Sequence, residues 1–220
     1  MNNLAEPIVS CKRCDLCKNQ TPLIQKCSKA DIFWVGLSAV KILDSQDIPL
    51  SPNTNTGKLI HSIEFFFQEK SFYKTNLVKC LPLANDKIRY PSAKEMACCF
   101  SHLKNEIQLF QPKLLFLLGK QVATFVLREF GVMDYTLDED FDYSSYAFGD
   151  TIVVPIHHPS FILVYKRKRL QEYIKSVEEI IGETEERKVY APLIAPRAVI
   201  NLERKGVWEF GHRSFISDPA

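Results

Sequence analysis

A chain of 220 residues with 46% hydrophobic and 25% charged content can bury one substantial core and is short for two. With 28 basic residues against 26 acidic, the net charge of +2 excludes a chain-wide polycation, so any nucleic-acid surface must gather its basic residues on one face. The first ten residues, MNNLAEPIVS, lack a basic start and a long apolar run, and no later stretch approaches the roughly 20 apolar residues that cross a bilayer; a cytoplasmic protein without a membrane segment is expected.

In chain order, the short apolar run at 31–36 predicts a buried strand, and residues 58–68 repeat apolar side chains at helical spacing. Residues 72–78 predict a second strand, followed by a turn-rich loop and a helix from about Lys94 to Phe110, with Pro112 marking the break. Residues 114–119 predict a third strand with its helix at 121–130. Residues 151–155 predict a fourth, and a helical stretch follows that reaches Ile181. This alternation predicts an α/β fold, a central, mostly parallel sheet flanked by helices on both faces. The expected domain covers residues 1–182, with 183–220 as an extension docked through Trp208, Phe210 and Phe215. Residues 131–150, rich in Asp and Glu, are expected to form a solvated insertion that nucleic acid avoids.

In sheets of this kind, ligands gather beyond the carboxyl ends of the strands, which here are Gly36-Leu37-Ser38, the segment 75–79 and the segment 157–160. Seven cysteines, an odd number, together with the absence of a secretion signal, favour metal binding over a disulfide framework. Cys11, Cys14 and Cys17 lie in one polar segment, while Cys80 ends a strand and Cys98 and Cys99 lie on the following helix. Four thiolates from these groups suit structural zinc or an iron–sulfur cluster, and spacing does not separate the two. Cys27 reads as a small buried hydrophobe.

Five segments taken together resemble the family-4, iron–sulfur uracil-DNA glycosylases. Cys11-x-x-Cys14-x-Leu16-Cys17 is similar to the family's amino-terminal cluster motif, and residues 72–82 (FYKTNLVKCLP) to its T-N-V-V-K-C-x-P segment. Arg89-x-Pro91-x-x-x-Glu95-Met96-x-x-Cys99-x-x-x-Leu103 fits its next motif, and residues 111–119 (QPKLLFLLG) and 154–160 (VPIHHPS) fit the two after that. The resemblance spans roughly residues 11–180 and leaves the tail outside. It implies a structural [4Fe–4S] cluster on Cys11, Cys14, Cys80 and Cys99, and hydrolysis of the N-glycosidic bond of uracil or another modified pyrimidine in DNA. The enzyme would be a monomer acting on a flipped base. Two segments depart from the family: Leu37 replaces a glutamate, and Leu50 stands where a phenylalanine stacks on the base, in a loop longer by two residues. These departures motivate two other readings, a glycosylase for bulkier modified bases of viral DNA and a non-catalytic iron–sulfur module that binds nucleic acid.

Glycosidic cleavage builds negative charge on the departing base, so polar donors must be aimed at it. Asn76 can present amide donor and acceptor to a pyrimidine edge, and His158 can donate to the oxygen that gains charge. These two are the expected catalytic residues. Gly36, Leu37, Ser38, Leu50, Asn55 and Ser160 are the expected base-contacting positions, although a hydrophilic turn explains the polarity around Asn55 equally well. Ser38, Asp44 or Asp47 could position water. Lys79 and the run Lys166, Arg167, Lys168, Arg169 are the expected phosphate contacts, with a solvated helix face the plainer reading of that run. His157, on the opposite side of the strand from His158, is expected to be structural.

Overall fold

The computed structural model describes residues 5–44 and 47–185, so the expected docking of Trp208, Phe210 and Phe215 lies outside the described residues. Among the described residues, seven strands and six α-helices follow in chain order. They are α1 (Ala5–Val9), β1 (Ile32–Ser38), α2 (Asn55–Glu64), β2 (Phe72–Val78), β3 (Leu83–Ala84), β4 (Lys87–Ile88), α3 (Ala93–Phe110), β5 (Leu114–Leu118), α4 (Lys120–Glu129), β6 (Tyr146–Phe148), β7 (Thr151–Ile156), α5 (Pro159–Tyr165) and α6 (Leu170–Gly182). The main sheet has the order β2-β1-β5-β7-β6, parallel throughout except for β6, which runs antiparallel to β7. A short hairpin, β3 with β4, stands apart; Asn85 and Asp86 form its turn, both with positive φ, as a tight hairpin requires. Among the described residues no helix is long and apolar enough to cross a membrane.

The central strands read as unbroken apolar runs because both faces of the sheet are covered. Phe33 and Val35 face the layer built by α3 and α4, where Phe100, Leu103, Val122 and Val126 pack. Ile32 and Trp34 face α2, α5 and α6, where Ile60, Ile162, Tyr173 and Val177 pack. Trp34 stacks on Phe116 across the β1–β5 pair, with centroids 4.5 Å apart. The chain leaves β1 through α2 to β2 on one side, then returns through α3 to β5 on the other. Strand order therefore reverses between β1 and β5, the switch point where open sheets form a crevice.

Three expectations need correcting. The 131–150 segment is solvated only in part: its acidic residues are exposed, but Phe141 and Tyr143 are buried in the core, and β6 adds an edge strand. Its acidic residues hide the buried aromatic positions between them. The helix expected at 58–68 begins at Asn55, where Thr54 caps it by accepting from Gly57 N, and ends at Glu64, leaving Phe65 and Phe66 exposed. The helical stretch after β7 is broken into α5, a 3₁₀ turn at Arg167–Arg169, and α6.

Helix α3 opens with a reciprocal capping box: Ser92 Oγ accepts from Glu95 N, and the Glu95 carboxylate accepts from Ser92 N. Arg89 grips the same carboxylate through both terminal nitrogens, at 2.6 and 2.8 Å, and this holds the Glu95 carboxyl down to about 2. Ser92→Ala should cost roughly 1 kcal/mol in urea unfolding. Because the folded carboxyl lies below its ordinary 4.5, its contribution is fully present above that pH and is lost as pH falls toward about 2. The stability gap between the protein and Glu95→Gln should narrow over the same interval.

Candidate active site

Asn76 and His158 lie at the carboxyl ends of β2 and β7, with β1 and β5 between them. Three strand spacings set their backbones about 14 Å apart. Glycine stands near the carboxyl end of both inner strands, Gly36 two residues before the end of β1 and Gly119 just past β5. A Cβ on Gly36 would clash with Asn76 Oδ1, and one on Gly119 would lie 3.1 Å from His158 Cβ. The crevice floor is thus bare backbone, with one polar side chain leaning over it from each outer strand. Gly119 also takes φ +89, a conformation that strains other residues, and its N–H donates to Ile156 O at 2.8 Å.

Asn76 is only 3% exposed, yet no hydrogen bond among the described residues occupies its amide. Its register partner is Gly36, so alternation along the strands places both on the α2 face of the sheet. Leu50 joins them: its side chain lies 3.4 Å from the position of a Gly36 Cβ, and its backbone sits at φ +53, an unfavourable region for a branched residue. Close packing holds that turn, because the Ser51 carbonyl lies where a Cβ on Gly57 would fall. Asn55 is exposed at the start of α2. Leu37 is not brought to this cluster; one residue beyond Gly36, it packs against the α3 and α4 layer. Asp47 Oδ2 accepts from the backbone N–H of Leu43 and Asp44, which ties this carboxylate to its own loop.

His158 is the N-cap of α5. Its Nδ1 accepts from Ser160 N at 3.1 Å and lies 2.8 Å from Ser160 Oγ. A backbone N–H can only donate, so Nδ1 carries the lone pair and the neutral ring holds its proton on Nε2. Burial pushes the His158 pKa down, favouring this neutral state. The ring is therefore a fixed, uncharged donor. His157 is structural, as expected: Nδ1 meets Tyr143 Oη at 2.9 Å, its carbonyl accepts from Tyr173 Oη at 3.0 Å, and its ring stacks on Phe161.

The expected phosphate contacts divide. Lys79 is 1% exposed, and its Nζ lies 2.5 Å from Glu106 Oε2 and 2.5 Å from Thr75 Oγ1, so it is not a surface contact. Lys166 pairs with Glu139 at 3.2 Å, and Arg169 pairs with Asp140 and Glu172 while covering the Phe141 ring. Arg167 and Lys168 are exposed.

A second concave site lies where the N-terminal segment meets β2 and α3. Cys11, Cys14, Cys80 and Cys99 line one cavity, together with Cys17, Cys98, Arg13, Val78, Lys79 and His102. Cys80 and Cys99 are buried, and Lys79 N lies 3.3 Å from Cys99 Sγ, placed to donate to it. Burial pushes the Cys80 thiol up to about 12 and raises Cys14 and Cys99 as well. Among the described residues no three His, Cys, Asp or Glu side chains form a ready single-ion site. The cavity wall is nonetheless richest in thiols, a donor set that suits iron–sulfur or zinc chemistry. The cavity adds residues that the sequence did not single out, above all His102. Burial pushes its imidazole down to about 4, so the ring is neutral, and its Nε2 is buried with no hydrogen-bond partner among the described residues.

The fold defines an α/β protein with polar side chains gathered at the switch point of a largely parallel sheet and a separate thiol cavity. The family model for the uracil DNA glycosylase superfamily matches residues 28–181, and the chain belongs to that superfamily. It is 26% identical over 192 residues to the type-4 uracil-DNA glycosylase of Archaeoglobus fulgidus, covering 83% of this chain and 94% of that protein. It is 27% identical over 190 residues to the type-4 uracil-DNA glycosylase of Sulfurisphaera tokodaii, covering 82% and 84% respectively.

The His158 geometry has a direct spectroscopic consequence. In histidine-¹⁵N labelled protein, His158 should show the neutral tautomer protonated at Nε2, and its titration midpoint should fall below the ordinary 6.5. A midpoint at or above 6.5, or an Nδ1-protonated ring, would contradict the cap geometry.

Proposed function

We propose that this chain is a DNA glycosylase that hydrolyses the N-glycosidic bond of uracil or another modified pyrimidine in DNA, leaving an abasic site. The observation that carries this reading is the crevice itself, a glycine floor with Asn76 and His158 leaning in from opposite strands. A flipped base needs room to lie close to backbone, an amide to read its edge and a donor to hold the charge that develops as the bond breaks. Asn76 supplies the amide and His158 Nε2–H the donor. A neutral donor suits a leaving anion because it is already oriented and has no proton to lose before the reaction. Gly36, Leu50 and Asn55 surround the base position, while Ser160 holds the His158 ring and Ser38 lies at the β1 end of the crevice. Leu50 lies against Gly36, so the side chain at this position stays beside the proposed base site.

The same reading assigns Cys11, Cys14, Cys80 and Cys99 to a [4Fe–4S] cluster. Shared lining of one cavity, burial of two of the four and the backbone donor at Cys99 support the fit; Cys17 and Cys98 line the same cavity, so the choice of these four rests on the motif match. Bound there, the cluster is structural, tying the N-terminal segment to β2 and α3. The protein acts as a monomer on DNA, with Arg167 and Lys168 as the phosphate-binding cations nearest the His158 loop.

Single-turnover excision on oligonucleotides carrying uracil tests the assignment. Asn76→Ala and His158→Ala should each slow the rate by about 100- to 1,000-fold while weakening DNA binding far less, because phosphate contacts dominate affinity. Gly36→Ala, which sets a methyl against Asn76 Oδ1, should impair the reaction without removing either polar side chain. Near wild-type rates in folded variants would sink the site. The salt dependence of binding provides a second check. Replacing both Arg167 and Lys168 by alanine should reduce the log–log slope by about 0.9 for each phosphate that is no longer neutralised, whereas Lys166→Ala should change it less because Lys166 is paired with Glu139.

A further inference from the structure

His102 is 4% exposed, lines the thiol cavity, and buries its Nε2 with no hydrogen-bond partner among the described residues. Buried polar atoms in folded proteins are nearly always satisfied, and an orphan atom facing a cavity points to what the cavity holds. His102 lies one helical turn after Cys99 on α3, so the two side chains lie on the same face of the helix. Its other neighbours limit its chemistry. Arg13 also lines the cavity and donates to Ser101 Oγ, and Lys79 is committed to Glu106, so neither a carboxylate nor a carbonyl is positioned to take the imidazole proton.

We propose that His102 donates Nε2–H to a sulfur of the iron–sulfur cluster, either the Cys99 thiolate or a bridging sulfide, and so tunes the cluster without ligating it. The proposal rests on the cluster assignment above. Sulfur that carries negative charge accepts such a bond, and a donor to it favours the more electron-rich state, raising the reduction potential. Outer-shell bonds of this kind also hold ligands in place, and their removal commonly costs about 10- to 100-fold in retention of the metal. His102 would act as a positioning residue, with no part in the reaction on DNA.

The test uses the full chain purified anaerobically, with iron and sulfide measured first. Wild-type protein lacking both would refute the cluster assignment and this inference with it. With the cluster present, His102→Leu should lower the reduction potential and speed iron loss to a chelator by about 10-fold, while His102→Gln, which keeps an N–H donor, should remain closer to wild type. If both variants match the wild type in potential and iron loss, the hydrogen bond does not exist, whatever the cluster does. Should His102→Leu fail to fold, pulsed EPR on wild-type protein labelled with histidine-¹⁵N decides the matter. A weak ¹⁵N coupling to the cluster spin that disappears in His102→Gln supports the bond. No coupling, or the strong coupling of a directly ligated nitrogen, overturns it.

Discussion

Much of this structure depends on the burial of one carboxylate. Glu106, 1% exposed on α3, accepts from Tyr73 Oη, Thr75 Oγ1 and Lys79 Nζ, all carried by β2 or its immediate extension. A charge in that environment is tolerable only with a counter-charge and hydrogen bonds to its remaining lone pairs, and β2 provides both. The result is a polar bolt through an apolar layer that sets α3 in register on β2. Both candidate sites then follow from β2. Asn76, next to Thr75, points through the other face of the sheet into the crevice. Cys80, next to Lys79 and two residues past β2, lies at the thiol cavity, where α3 delivers Cys99 and His102.

The crevice shows the complementary principle, in which bare backbone makes the site. Strand order reverses between β1 and β5, and each carries a glycine near its carboxyl end. The switch point thus sets Asn76 and Leu50 against one glycine and His158 against the other, where open sheets of this topology bind ligands. The side chains proposed to contact the base, Asn76 and His158, stand on the strands flanking this pair. His158 is held by the first turn of its own helix, and His157 by Tyr143 and Tyr173 from the α2 side of the sheet. Two adjacent histidines thus take different roles because a strand end sends them in different directions.

Electrostatics near this loop are more balanced than a run of four basic residues suggests. The 138–140 turn folds back so that Glu139 and Asp140 meet Lys166 and Arg169. These pairs are largely exposed on their acidic side, where salt screens them and little stability is gained. Their effect is to define which cations remain open to a polyanion, leaving Arg167 and Lys168 outward.

Much was legible in the sequence because it depends on local pattern. Unbroken apolar runs marked four strands with helices between them, and glycine and histidine at their ends located the crevice. The cysteine spacing marked a thiol site. Asn76 and His158 were legible from residue type and strand position once the ordered motifs were recognised. What the sequence could not show is set by partners distant along the chain. Lys79 looks like a surface cation in the string and becomes a buried ion pair because Glu106, 27 residues away, needs a partner. Leu37 follows Gly36 directly, yet alternation sends it to the other layer. The acidic stretch at 131–150 reads as solvated because its charges outnumber Phe141 and Tyr143, but those two rings have a core to enter only after α6 has packed on the sheet. His102 is one more polar residue on a helix until the N-terminal segment folds over it and gathers the thiols. Periodicity determines elements and faces. Which buried charge meets which partner, and which polar atom is left facing a cavity, is decided only when the layers close.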